Sequence, residues 1–412
     1  MRKKGIVLLI IVMTQILTGC WSRVEVNDLS IVTATALDKI EGGKIRLTLQ
    51  IAVPRMLGQV GSGGGGGGGR GSGGEKKSTV TVSENGETVL DAFRRLQEKL
   101  PRKLFFSHSR IIIIGEQLAR DGVSPVLDFF SRYREARLHS YILFTKGEAS
   151  DILNIPPKWE KISSEEIREE EKSHIGVSIY LVDFLDMLLT DGVEPIAALV
   201  EPKSTEVKKK SDSESGQSPP ESEKSVVIAG AAVFRKDKLI GWMNGKEARG
   251  ALWLRNELKQ AVITVTIPEE MGNGKVSAKL LKGESKFKPI LKNNKLIMKV
   301  EIRAQDDLYE NSSKLDLNKP DAIKYVQKKL EEDIEKRIQI VLDKTQKQFK
   351  SDVFGFGTAV YRTYPKAWKK KFKDRWDQEF PELEVKIAAH VRVVRTGLTN
   401  KSITLEDKEF IK

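Results

Sequence analysis

Leu383-Glu384-Val385-Lys386-Ile387-Ala388-Ala389-His390-Val391-Arg392-Val393 alternates two kinds of residue along its length. In an extended chain successive side chains point to opposite faces, so Leu383, Val385, Ile387, Ala389, Val391 and Val393 share one side. That pattern predicts a strand with one buried face, in an antiparallel sheet or at a sheet edge. Upstream, Asp321 to about Phe349 carries Ile323, Val326, Leu330, Ile334, Ile338, Val341, Thr345 and Phe349 three or four residues apart, the spacing of one helical face. Such a face can seal a sheet or pair with another helix, and we favour the sheet.

Working outward, Ala261 to Ile267, Lys275 to Leu281 and Leu296 to Ile302 are further strand candidates. Val226 to Phe234 and Leu239 to Met243 read as a hairpin turning at Lys236-Asp237. Before it, Glu201 to Ser225 holds serines, charges and Pro219-Pro220, with Val207 as its one large apolar side chain. A segment of that composition builds no core. It predicts a flexible linker over 201–225, a separate C-terminal α+β domain over 226–398 and a tail over 399–412.

The N-terminal region, 20–200, mixes strands and helices and reads as α+β or α/β, with two subdomains. Ile45, Leu47, Leu49, Ile51 and Val53 alternate with Arg46, Thr48, Gln50 and Ala52, giving a strand with one buried face. Ile31 to Leu37 precedes it, and Gly42-Gly43 supplies the turn of a hairpin. Residues 61–74 are almost all glycine, which predicts a flexible surface loop. A phosphate-binding glycine loop needs an apolar strand running into it and a helix opening after it, and neither is present. Thr88 to Leu100 reads as a helix ended by Pro101; Ile111 to Ile114 as a strand buried on both faces; Tyr141 to Phe144 as a strand; and Leu181 to Leu189 as a helix.

No motif carries catalytic chemistry. His108, His139, His174 and His390 are far apart, and there is no His-Glu-x-x-His helix or Gly-x-Ser-x-Gly elbow. No catalytic, cofactor-binding or metal-binding residue is assigned, and no cofactor is expected. Glu165, Glu166, Glu169, Glu170 and Glu171 read as a solvated helix face. Trp368, Phe372, Trp376 and Phe380 are four residues apart amid lysines. The favoured reading turns these aromatics to the core, with a membrane-facing role as the alternative.

The chain's start gives an address. Met1-Arg2-Lys3-Lys4, an apolar run from Gly5 to Leu17 and Leu17-Thr18-Gly19-Cys20 follow the order of an export signal, 1–19, too short to span a bilayer comfortably. Cys20 is the only cysteine of 412 residues, which excludes an intramolecular disulfide. It stands where a lipobox places the residue to be acylated, and two acyl chains suffice for stable anchoring. The precursor's formal charge is +13, and losing Arg2, Lys3 and Lys4 leaves a strongly basic chain suited to an anionic surface. Nucleic acid has the same charge, but an exported lipoprotein rarely meets it, so no nucleic-acid partner is expected.

Four stretches together resemble the Ger(x)C family, the lipoprotein C subunits of spore nutrient germinant receptors. They are Leu17-Thr18-Gly19-Cys20-Trp21 with Arg23, Glu25, Asn27 and Asp28; Leu100-Pro101-Arg102-Lys103-Leu104-Phe105-Phe106 with Ile111 to Glu116 and Pro125 to Phe130; Gly230 to Phe234 with Leu239-Ile240-Gly241-Trp242, Glu247, Arg249-Gly250 and Trp253; and Lys350-Ser351-Asp352-Val353-Phe354-Gly355-Phe356-Gly357 with Tyr364-Pro365, Trp368 and Arg395-Thr396-Gly397. Ser22 departs from the family's usual aspartate, and the glycine stretch is unusually long. The resemblance implies a multi-domain α+β fold of three domains with mixed or antiparallel sheets and packed helices. It also implies no enzyme activity, A and B subunits as partners, and a place on the outer surface of the spore inner membrane, held by lipid on Cys20. The competing reading is a solute-binding envelope lipoprotein that captures a nutrient directly, for which a pocket with converging polar groups and aromatic walls is the discriminating feature. An envelope enzyme is a third reading, which needs a cleft with a nucleophile or acid/base pair.

Overall fold

The computed structural model describes Gly5 and residues 28–53, 78–173, 176–205, 223–293 and 295–397. The remainder of the export signal, Cys20, the glycine-rich stretch, residues 206–222 of the expected linker, His174 and the tail 399–412 lie outside the described residues.

The described strands form two sheets interspersed with helices, the α+β architecture read from the sequence. The first sheet holds β1 (Leu29–Lys39), β2 (Ile45–Ala52), β3 (Thr79–Gly86), β4 (Lys103–Phe105), β5 (Ile111–Gly115), β6 (Tyr141–Thr145), β7 (Ile196–Thr205), β8 (Glu223–Arg235) and β9 (Lys238–Asn244). Its order is β3-β2-β1-β5-β6-β7-β8-β9, with β4 beside β1. The β1-β5-β6-β7 centre is parallel and both flanks are antiparallel hairpins. Helices fill the crossovers, as parallel pairing requires. They are α1 (Val89–Lys99), α2 (Glu116–Asp121), α3 (Ser124–Arg132), α4 (Ala149–Asn154), α5 (Ser163–Lys172) and α6 (Leu181–Leu189). Central β5 is buried along its whole length, matching its run of isoleucines.

The second sheet is β10 (Val262–Ile267), β11 (Gly274–Lys292), β12 (Lys295–Asn311) and β13 (Glu384–Arg395) in that order. The stretch quoted first is its edge strand, parallel to β12. The helix read as its cover is α8 (Pro320–Asp343), continuing as a π-helical turn through Phe349. Val326, Leu330, Ile334, Ile338 and Val341 are buried under it. The helix also guards the edge. Gln327, Glu331 and Glu335, spaced one turn apart, accept hydrogen bonds from the amides of Val393, Val391 and Ala389 at 3.0, 2.9 and 2.9 Å. Those are the strand's outward N–H groups, so another strand finds no free ladder there.

Four expectations need correction. The strands on either side of the expected linker are neighbours: β7 and β8 pair antiparallel from Ile196↔Val233 to Thr205↔Glu223. The hairpin β8–β9 therefore completes the first sheet, and the second sheet begins only after α7 (Gly245–Leu254). Next, β2 is buried on both faces: Gln50 accepts from the Thr33 hydroxyl and the Ser164 amide and donates to Leu153 O and Ser163 Oγ. These bonds satisfy a buried amide that alternation alone assigns to solvent. Third, Glu166, Glu170 and Glu171 of α5 turn inward. Glu166 accepts from the Lys158 and Trp159 amides, Glu170 from the Ile228 amide, and Glu171 is buried. Fourth, β11 and β12 run well beyond the apolar segments that announced them.

Candidate functional site

The two sheets meet at the segment Lys350-Ser351-Asp352-Val353-Phe354-Gly355-Phe356-Gly357, one of the quoted stretches. Asp352 is its anchor. Its buried carboxylate accepts from the amides of Phe354, Gly355, Phe356 and Gly357 at 2.8–3.2 Å, and from Trp376 Nε1 at 2.9 Å. It thereby occupies the N-terminus of α9 (Phe356–Thr363), where a helix leaves free N–H groups that favour a negative charge. Burial nevertheless pushes this carboxyl up to about 6, against the pull of its donors. Gly355, at φ +81, makes the left-handed turn into the helix.

Partners from the first sheet clasp the segment on every side. The Ser351 hydroxyl donates to Phe234 O at 2.6 Å, and Arg235 reaches Phe349 O and Lys350 O. Arg255, itself paired with Glu257, donates to Val353 O at 2.7 Å. Glu194 N donates to Asp352 O at 2.8 Å and Thr358 N to Gly192 O at 3.1 Å. Gly192 and Gly357 touch backbone to backbone: a Cβ on either would lie 2.6 Å from the other's backbone. Lys373 closes the outside with a 2.6 Å ion pair to Asp191.

Beside this joint opens a cleft of about 850 Å³, lined by Leu127, Asp128, the end of α6 and the 190–194 loop after it, Asp237 and the 373–377 segment. Glu194 is among the lining residues. Burial pushes the carboxyl up to about 7, assisted by Asp377 and Asp352 and opposed by the Lys236 amide that donates to it. The lining carries no histidine or cysteine, and its one aromatic, Trp376, is committed through its indole N–H to Asp352. Among its polar groups Asp191 and Glu194 serve the joint, Asp128 pairs with Arg132 and Ser131 donates to Asp128 O, so it offers one committed ring and no aromatic wall. This falls short of the aromatic-walled pocket that direct nutrient capture calls for.

Among the described residues no group of three His, Cys, Asp or Glu side chains is placed to hold a metal ion. His108 lies beside Phe105 and His139 beside Tyr180. Trp368, Phe372, Trp376 and Phe380 are all buried, so the aromatic stripe faces the core as favoured. Trp253 is buried under the second sheet, whereas Trp242 is only half-buried and reaches Glu116 of the first. Gly241 leaves room for the Phe349 ring. Cys20 lies outside the described residues. The joint itself was not legible as a site, because Gly192 carried no motif.

Residues 22–202 match the family described as spore germination protein N-terminal domain, and 229–397 match spore germination B3/GerAC like, C-terminal. The chain is 33% identical over 390 residues to the putative spore germination protein YfkR of Bacillus subtilis, covering 94% of this chain and 96% of that one. It is 29% identical over 420 residues to spore germination protein KC of the same organism, covering 99% of each. The crystal structure of the GerBC protein superposes with a TM-score of 0.55 at 20% identity, over 88% of this chain and 97% of that one, a likeness of fold. Both halves match in order, and the chain belongs to the Ger(x)C family of spore germination proteins, with the role of a non-enzymatic germinant-receptor subunit.

Proposed function

We propose that this chain is the lipid-anchored C subunit of a nutrient germinant receptor. On this reading it is held by acylated Cys20 at the outer surface of the spore inner membrane and works by assembly with membrane A and B subunits. The observation that carries the proposal is the end-to-end likeness to spore germination proteins, joined to a junction whose polar groups are committed to holding two sheets together. Such a body passes on a signal by moving or by being held, with no bond made or broken. Among the described residues no helix is long and apolar enough to cross a membrane.

Co-purification from detergent-solubilised spore inner membranes tests the assembly. A tagged chain that restores nutrient-triggered germination to a deletion strain should bring down its A and B subunits. Restoration without either partner would overturn the proposal and favour the solute-binding alternative. Intact-mass analysis tests the anchor: Cys20→Ala should leave an unacylated precursor, poorly retained at the membrane.

A further inference from the structure

The second sheet has one covered face and one bare one. Helices α8 and α9 pack against the inner face, and the outer face of the β11–β12 hairpin is largely exposed from Lys282 to Lys288 and from Lys299 to Gln305, while Ser277 and Asp307 nearer its base are buried. That hairpin's strands have 19 and 17 residues, so the face extends roughly 60 Å at the usual rise per residue.

In the middle of this face the charges are complementary, Lys286 opposite Glu301 and Glu284 opposite Arg303, but the rows on either side are not. Lys288 stands opposite Lys299, and Lys299 opposite Lys386, so three lysines cross three neighbouring strands in one row. Like charges directly opposite on one face repel. Neither Lys288 nor Lys299 has an ion pair among the described residues. Lys386 shares Glu384 with Lys295, which already holds that carboxylate at 2.7 Å. A second row adds Lys282 and Arg392 on either side of neutral Gln305.

At the far end the row Lys279–Asp307–Arg395 gives way to exposed apolar side chains. Val262, opposite Lys279, is 66% exposed, and Tyr309, whose ring lies under the Lys279 ammonium, is 65% exposed. A long face with three lysines in register, two of them without an ion pair, and an exposed tyrosine and valine at one end has the chemistry of a headgroup contact: ammonium groups for phosphates, an amphipathic ring for the interface.

We propose that the outer face of the second sheet docks on an anionic phospholipid surface, through Lys288, Lys299 and Lys386 with Tyr309 at its rim. This deepens the reading of a membrane-bound subunit but does not depend on the lipid on Cys20. An anchor fixes one point, whereas a docked face fixes orientation.

The test uses the full chain carrying Cys20→Ala, so that no acyl chain contributes, sedimented with vesicles of phosphatidylcholine alone or with phosphatidylglycerol. Binding is expected only to the phosphatidylglycerol vesicles and should fade as salt screens it. In that same background, Lys288→Gln/Lys299→Gln/Lys386→Gln should weaken partitioning roughly 100-fold, at the usual contribution of a lysine near such a surface. Both chains share one N-terminus, so the difference reports the face. The triple variant removes a like-charge row and should melt no lower than its parent, which separates lost binding from lost folding. Lys366→Gln/Lys369→Gln/Lys370→Gln, equal in charge change but on the 365–372 segment, should leave binding within a few-fold. Equal binding to both vesicle types, or equal loss in the two triple variants, overturns the docking face. Acylation of Cys20 in the native chain is scored separately by mass and stands or falls without it.

Discussion

Gly192 and Gly357 press their backbones together where the loop after α6 meets the start of α9. Gly192 sits at φ +81, which side chains other than glycine rarely adopt, and Gly357 faces both Gly192 and the Trp368 ring. We expect Gly357→Ala or Gly192→Ala to destabilise the protein by about 2–4 kcal/mol, through overlap at one position and overlap plus backbone strain at the other. Because both relieve the same contact by parting the sheets, the double variant should cost less than the sum. Thermal unfolding of the three variants decides; additive losses would mean that the two glycines do not share a contact.

Asp352 fixes the other side of that joint. Asp352→Asn keeps the shape but turns an amide group toward N–H donors, leaving at least one buried donor unpaired. The expected loss is about 2–3 kcal/mol, with Asp352→Ala worse. A stability within about 0.5 kcal/mol of wild type would show that its donors are satisfied elsewhere.

How much of this was readable from sequence depends on the range of the contact. The helix at α1, the isoleucine strand β5 and the edge strand β13 follow from local period alone, and the structure keeps them. In the β11–β12 hairpin, β11 was read too short because past Leu281 its inward positions are Gly283, Ser285, Phe287 and Pro289, a broken apolar face, and β12 because Gln305, Asp306 and Asp307 interrupt its alternation past Ile302. Gln50 looked exposed because α4 and α5, which bury it, arrive from about a hundred residues away, and Glu171, on α5 itself, looked exposed because β8, against which that helix packs, lies more than fifty residues further on. The joint was the least visible: Thr358 and Asp191 meet across 167 residues, and nothing near Asp191 announces it.

Glu171 gives a pH prediction. It is buried, neither of its oxygens has a well-formed hydrogen bond, and burial pushes its carboxyl up to about 8. A folded-state value above the unfolded one favours the protonated form. The stabilisation is therefore complete below the ordinary glutamate range and is lost as pH rises toward about 8. Glu171→Gln, neutral at every pH, should remove that slope. Its melting temperature relative to wild type should climb steadily between pH 5 and pH 8; a difference independent of pH would show that Glu171 does not titrate in this range.

The glycine-rich insertion joins two paired strands. Ala52 of β2 faces Thr79 of β3, and Val53 N donates to Ser78 O at 2.9 Å, so the hairpin is closed where the described residues stop and resume. Loop entropy grows only logarithmically with length. Shortening Gly63 to Gly69 to two residues should then move the melting temperature by only a few degrees, as expected for changes of about 1 kcal/mol or less. A fall beyond about 10 °C would show that the insertion contributes packing.

The sheet order also decides where the chain can be cut. The two family matches end at residue 202 and resume at 229, which suggests a division there, yet β8 lies just beyond it and pairs with β7 just before it. A fragment of residues 226–412 would carry β8 and β9 away from β7, baring the edge of a strand whose Ala231, Ala232, Val233 and Phe234 are buried in the whole protein. Phe234 alone packs against Phe144 and Phe184 of the first half, and burying such a ring contributes about 2–3 kcal/mol. We therefore expect that fragment to aggregate or stay molten. Intact protein nicked between 206 and 222 should keep its two pieces together, because the β7–β8 ladder and the Asp352 joint both cross the nick. Limited proteolysis followed by size exclusion tests this directly: the pieces should co-elute at the size of the whole chain and part only in denaturant. Separate elution in native buffer, together with a well-dispersed amide spectrum for 226–412, would establish an independent C-terminal domain. The outcome bears on mechanism, since a continuous sheet obliges the two halves to move together unless the joint at Gly192 and Gly357 opens.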